Sequence, residues 1–309
     1  MLLLGAHMSI AGGYYRAVER AAEVGCTVLQ CFTKNNNQWR AKPIVSEESE
    51  RFRAAILSGK LAHPLSHSSY LLNCASPDEA LRAKSIEALV VELERAELLG
   101  IAWVVLHPGA SMGATEEEGL ARVVASMDSV LQATRHLAAG VLLENTAGQG
   151  SCLGWKFEHL ATILEGVADS RRLGVCFDTC HALAAGYPLS TAEDYKATMK
   201  RFDTVVGLER LKALHLNDSK RELGSRVDRH EHIGRGHVGL EGFLSLLTDR
   251  KLKGIPMYLE TPKGLENGEE LDAINLRNLR ELAAGRLPQI EVAAAPAEKP
   301  TKKAKRVKE

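Results

Sequence analysis

The chain has 309 residues, 45% of them hydrophobic and 25% charged, values near the globular average that allow a sizeable core and exclude global disorder. Lys and Arg balance Asp and Glu at 39 each, which argues against a histone-like polycation, and no apolar run approaches the ~18 residues needed to span a bilayer. The opening MLLLGAHMSI is too short and too polar for a signal peptide, so a cytoplasmic protein is expected, with its six cysteines (26, 31, 74, 152, 176 and 180) reduced and mostly buried.

Taken in chain order, β-type runs alternate with helical stretches. LLLGA before His7 leads into a predicted helix at 12–25, TVLQCF before Thr33 into 46–60, and LAHPLS before His67 into 77–100. AWVVL before His107 leads into 116–139, GVLL before Glu144 into 156–166, and LGVCF before Asp178 into 191–207. ALHLN around His215 leads into 240–251, and PMYL before Glu260 into 268–284. The runs are rich in Val, Leu and Ile rather than strictly alternating, as strands buried on both faces should be. The third is the weakest, because Pro64 cannot donate to a ladder. The helical stretches carry apolar residues at three- and four-residue intervals, and several open with Ser, Thr or Asp and stop at Gly.

The run ends fall 26 to 45 residues apart. Eight such units predict an α/β protein with a closed (β/α)8 TIM barrel, a single domain over residues 1–286. GAHMSIAGG is not the GxGxxG that an open dinucleotide-binding sheet would show early. From Leu287 the pattern stops, and residues 287–309 are expected to be a disordered Lys-rich tail, solubilising or making weak contact with a phosphate backbone. Residues 292–309 hold six Lys or Arg and two Glu, so the body carries a net −4.

What stands at the strand ends carries the chemistry. His67, His107, Glu144, Asp178, His215 and Glu260 close six of the runs, on the face where such barrels place their active sites. Imidazoles and carboxylates are costly there unless paired or ligated, and clustered carboxylates need a cation. Asp178 and His181, three apart, and Asp228 and His230, two apart, extend the set; His232 offers a competing register in DRHEH. His7, His63, His136, His159 and His237 have no comparable context. A catalytic zinc takes about three protein ligands, so nine candidates suit three ions with one bridging carboxylate. Nitrogen and oxygen donors without thiolate favour Zn, with Mn as a partial alternative. Clustered divalent ions suit phosphoryl chemistry, and three would add about +6 at one face of an acidic body.

These segments closely resemble the endonuclease IV family of apurinic/apyrimidinic endonucleases. The resemblance runs from GAHMSIAGG (5–13) through FTKNNNQWRA (32–41), SHSSYLLN (66–73), LHPGA (106–110) and LLENTAGQGS (142–151). It continues through GVCFDTCHALAAGY (174–187), LHLNDSK (214–220) and GSRVDRHEHIGRG (224–236) to YLETP (258–262). It implies a trinuclear zinc barrel, with one ion on His67, His107 and Glu144, a second on Asp178, His215 and Glu260 sharing Glu144, and a third on His181, Asp228 and His230. It implies hydrolysis on the 5′ side of abasic sites in double-stranded DNA, leaving a 3′-hydroxyl and a 5′-deoxyribose phosphate, together with trimming of blocked 3′ ends. Metal-activated hydroxide would attack phosphorus, with Glu260 and Glu144 as the catalytic carboxylates. Tyr70 and Leu71 match positions that fill the gap left by a flipped abasic nucleotide. Asn35, Gln38 and Arg226 are further DNA-contact candidates, and Asn37 stands where the family leads one to expect arginine. A monomer acting at the nucleoid is implied.

Two other classes share parts of the pattern. A sugar isomerase or epimerase would use one ion on a set like Glu144, Asp178, His215 and Glu260, but has no need of the other five ligands. A lesion-binding protein with purely structural metals would not need open coordination at the rim.

Overall fold

The computed structural model describes residues 2–290. Eight strands, β1 (Leu4–Met8), β2 (Val28–Phe32), β3 (Ala62–His67), β4 (Trp103–Leu106), β5 (Gly140–Glu144), β6 (Leu173–Asp178), β7 (Leu211–His215) and β8 (Met257–Leu259), form the predicted barrel. All pair in parallel, closed in the order β1-β8-β7-β6-β5-β4-β3-β2. Around it run α1 (Tyr14–Glu23), α2 (Ser46–Ser58), α3 (Glu79–Leu99), α4 (Glu116–Ala133), α5 (Phe157–Gly166), α6 (Thr179–Ala185), α7 (Ala192–Val205), α8 (Gly239–Thr248) and α9 (Leu271–Ala283). No described helix is long and apolar enough to cross a membrane. Leu287–Ile290, where the expected tail begins, have no regular secondary structure, and the rest of that tail lies outside the described residues.

The predicted caps set the helix ends. The Asp78 side chain accepts from the Ala80 and Leu81 amides at the start of α3, and Gly100 ends that helix in the left-handed region at φ 72°. Thr115 and Glu118 form a reciprocal capping box at α4. Helix α6 was not expected from the sequence; at 7 residues it is too short to show a period. Pro64 does not break β3. Val28 faces Ala62 but Gln30 faces Leu65, so β3 bulges by one residue at His63 and Pro64, where a missing donor does little harm. The bulge is held by the Tyr258 hydroxyl, which donates to the His63 carbonyl at 2.6 Å.

Successive strand residues face opposite sides. The outward ones, among them Val104, Leu106, Val141 and Leu143, pack with the helices in one large apolar layer. The inward ones, Val28, Leu65, Val105, Leu142, Cys176, Ala213 and Tyr258, plug the barrel itself. On β1 the corresponding place is taken by Gly5, where a Cβ would lie 1.9 Å from the Val28 carbonyl oxygen. Gly5→Ala is therefore expected to cost more than about 4 kcal/mol, at the severe end of single substitutions. A urea titration with an unchanged midpoint would show that β1 has room to spare.

Candidate metal centre

One period further along each strand, the inward residues change character. Two positions beyond Gly5, Val28, Leu65, Val105, Leu142, Cys176, Ala213 and Tyr258 come His7, Gln30, His67, His107, Glu144, Asp178, His215 and Glu260. The barrel thus has an apolar floor and, directly above it, a polar ring. Six of these eight are the strand-end residues predicted above. His7 and Gln30 are two the sequence reading missed. His7 closed a run but lacked a carboxylate in sequence, and Gln30 lay inside a run whose end was taken to be Thr33.

The ring's donors draw together around Glu144 and Asp178. His67 Nε2 and His107 Nε2 lie 3.2 and 3.0 Å from Glu144 Oε2. The other oxygen of Glu144 lies 2.8 Å from His215 Nδ1, which is 3.3 Å from Glu260 Oε2 and 3.9 Å from Asp178 Oδ2. Glu144 therefore stands between two groups with one oxygen turned to each. Beside them, Asp228 lies 3.2 Å from His181 Nε2 and 3.4 Å from His230 Nε2, and those two nitrogens are 3.4 Å apart. His232, the competing register, turns away and meets Asn275 at 3.0 Å.

Local chain geometry puts the third group in place. Asp178 is the N-cap of α6, and its Oδ1 accepts from the His181 amide at 2.7 Å. That explains the three-residue spacing, and leaves Oδ2 for Asn217 at 2.6 Å and the site. His230 sits on a two-residue antiparallel ladder in which Ser219 faces His230. The loop after it is gathered by the buried Asp218 carboxylate, which accepts from the amides of Ser219, Gly234, Gly236 and Val238. Asn145 and Asn217 were also missed as separate functional residues, although both lay inside quoted motifs. The Asn145 side chain takes the Asp178 amide and gives to its carbonyl, at 2.8 and 3.0 Å, and Asn217 Oδ1 takes the Glu260 amide at 2.7 Å.

The donor chemistry fits divalent ions. His67 Nδ1 lies 2.8 Å from the Ser68 carbonyl, His181 Nδ1 2.9 Å from that of Asn145, and His230 Nδ1 3.1 Å from that of Glu260. A carbonyl only accepts, so in the neutral imidazoles these nitrogens carry the protons and the opposite Nε2 lone pairs face the site, as metal-binding imidazoles require. Two ligand atoms on one tetrahedral zinc lie about 3.4 Å apart, close to the separations within each group. Cys180 also reaches the third group, where its thiol donates to the Arg229 carbonyl at 3.6 Å.

Charge balance is tight. Burial pushes the Glu144 carboxyl up, but the charges of His215 and His107 outweigh it and hold the group well below the usual carboxylate range. Glu260 is lowered in the same way, against burial, by the charge of His215 and a hydrogen bond with His7. Burial pulls His181 down, yet Asp178 and Asp228 hold it well above its ordinary value, and His215 is raised likewise, against burial, by Cys176, Glu260 and Glu144.

A cavity of about 410 Å³ opens beside this cluster, lined by Tyr70, Leu71, His107, Gln149, His181 and Asp228 among others. Tyr70 is 57% exposed at its mouth, with its ring 5.2 Å from that of His67. The other sequence candidates lie on the same end of the barrel. Asn35, Asn37 and Gln38 are exposed on the loop after β2. That loop is tied to the next by the Ser69 hydroxyl, which donates to the Asn36 carbonyl at 2.5 Å. It is anchored from α3 by the buried pair of Lys34 and Glu92 at 3.2 Å and by Arg95, which donates to the Thr33 and Lys42 carbonyls. Arg226 adopts a left-handed φ of 54° and lays its guanidinium 3.9 Å over the Trp155 ring. Of the cysteines, all six are free thiols and five are buried, with Cys152 half-buried.

Comparison with known proteins agrees with the barrel fold. Residues 18–282 match the family model described as a xylose isomerase-like TIM barrel. The chain is 46% identical over 285 residues to a probable endonuclease 4 of Citrifermentans bemidjiense, covering 92% of this chain and 100% of that one. It is 47% identical over 283 residues to the probable endonuclease 4 of Geobacter sulfurreducens, covering 92% and 95%. The crystal structure of endonuclease IV from Thermus thermophilus superposes with a TM-score of 0.81 at 40% identity, covering 91% of this chain and 99% of that one.

The protonation pattern gives a testable sign. After chelation, the raised imidazoles His181 and His215 stabilise the fold below about pH 6.5 and lose that contribution as pH rises through their elevated values. Bound cations require the same imidazoles deprotonated, so they stabilise more as pH rises. The difference in Tm between metal-loaded and chelated protein should therefore widen from about pH 6 to about pH 8. A pH-independent difference in thermal melts would contradict it.

Proposed function

The chain belongs to the endonuclease IV family, and from that premise we propose that it hydrolyses the phosphodiester on the 5′ side of abasic sites in double-stranded DNA. The products would be a 3′-hydroxyl and a 5′-deoxyribose phosphate, and the same chemistry would trim blocked 3′ ends. The observation that carries this reading is the convergence of nine His, Asp and Glu side chains, from six strand ends and the segments after them, on one rim.

In this reading three zinc ions would be held, one by His67, His107 and Glu144, one by Asp178, His215 and Glu260 together with Glu144, and one by His181, Asp228 and His230. Bound there, the ions supply positive charge that acidifies water and offsets the charge gathering on a phosphate. The protein's own groups do the rest. Glu260 orients the attacking water and takes its proton, while Glu144 holds the first two groups of ligands in fixed relation. Tyr70 and Leu71 enter the duplex where the base is missing, and the cavity behind them takes the extruded sugar. Recognition is by shape, since the lesion offers no base edge to read. The barrel, residues 1–286, carries this activity, and the basic tail, residues 287–309, adds at most weak contact with phosphates.

The direct test is cleavage of a duplex bearing one abasic site, with product-end analysis and an EDTA-treated control; an intact duplex would refute the proposal. Glu260→Gln should still bind that duplex but lose at least about 100-fold in kcat, the range for removing a general base. Turnover like the wild type would take Glu260 out of the mechanism. Asn37 is exposed, and its backbone N–H donates to Asn35 Oδ1 at 2.9 Å, so its side chain is replaced without losing that bond. Asn37→Arg should lower KM several-fold and steepen the dependence of log affinity on log salt by about 1. An unchanged salt slope would mean that this loop position does not face the DNA.

A further inference from the structure

The geometry points to Gln30 as a positioning residue for the metal centre, a role that rests on the zinc reading above. Gln30 is 0% exposed and occupies the inward position on β2 directly beyond Val28. A buried amide must find partners for both ends. Its Nε2 lies 2.6 Å from Glu260 Oε1 and 3.0 Å from His7 Nδ1, and its Oε1 lies 2.7 Å from His215 Nε2.

These contacts fix which way the amide faces. A carboxylate only accepts, so the amide's N–H groups face Glu260 and its oxygen faces His215. His215 must then donate from Nε2, which leaves its Nδ1 lone pair toward Glu144, Asp178 and Glu260. For His67, His181 and His230 the corresponding acceptor is a backbone carbonyl that no substitution removes. Among these four imidazoles, His215 alone depends on a side chain. The same amide holds Oε1 of Glu260, leaving Oε2 3.3 Å from His215 Nδ1. One side chain thus orients two ligands assigned to the same ion, and among the described residues its side-chain hydrogen bonds reach neither of the other two groups.

The test compares the zinc-loaded full-length wild type with Gln30→Met, which keeps length and volume but offers neither hydrogen bond. Zinc per chain is counted during titration with a competing chelator, alongside kcat and KM on the abasic duplex. Gln30→Met should release one ion at a chelator concentration about 10- to 100-fold lower than the wild type, as loss of such supporting bonds does. The other two ions should leave as before, and kcat should fall with the first ion while KM stays unchanged. Independently of any variant, nitrogen-resolved NMR of the wild type should show a slowly exchanging His215 Nε2 proton. Identical zinc release in Gln30→Met, or a His215 protonated on Nδ1 in the wild type, would overturn the inference. A wild type that never holds more than one ion would instead refute the zinc reading itself.

Discussion

Three carboxylates, Glu144, Asp178 and Glu260, face one another across the end of a narrow barrel with almost no access to water. Their repulsion is what the site must resolve. Protonated imidazoles can do it, as the raised His181 and His215 indicate, but so can cations, which also free the imidazoles to act as ligands. The fold supplies the confinement. An eight-stranded barrel has room for only a few side chains at each level, and the two-residue period of its strands stacks this ring on the apolar plug below. The plug keeps water from rising beneath the ring, and the amides of Asn145 and Asn217 hold the carboxylate strands in register from the side.

The barrel alone does not choose a chemistry, because the same architecture hosts many reactions. Glu144, Asp178, His215 and Glu260 come from strand ends and would suffice for a single ion. Beyond that set stand His67 and His107 in the same ring, and a further group delivered from outside the strands. Helix α6 delivers His181 one turn after its own cap, and the short ladder pairing Ser219 with His230 places His230, with Asp228 two residues before it. Exposed Tyr70 over the cavity mouth, beside His67 and His107, suits a large substrate entering from outside.

The barrel was legible in the sequence because most strands end in a residue that an apolar run cannot otherwise tolerate, and because capping residues mark several of the intervening helix boundaries. Six of the ring residues were legible for the same reason. His7 and Gln30 were not, since the register of β1 and β2 against their neighbours decides which side chain points inward, and an unpaired run does not reveal its register. Helix α6 was missed because a seven-residue helix leaves no period. The spacing left His230 and His232 as competing registers and the resemblance implied His230; His230 pairs with Ser219 beside the ring, while His232 turns to Asn275. Pro64 weakened the third run on paper, yet the bulge at His63 absorbs it without moving His67.

The claim on which the rest depends is that this ring and the group beside it hold a cluster of cations and not a single one. The most direct measurement is anomalous diffraction at the zinc edge from crystals of the zinc-loaded chain. The account predicts three peaks, one within each group of ligands and the first two flanking Glu144. A single peak among Glu144, Asp178, His215 and Glu260, with His181, Asp228 and His230 bare, would contradict it.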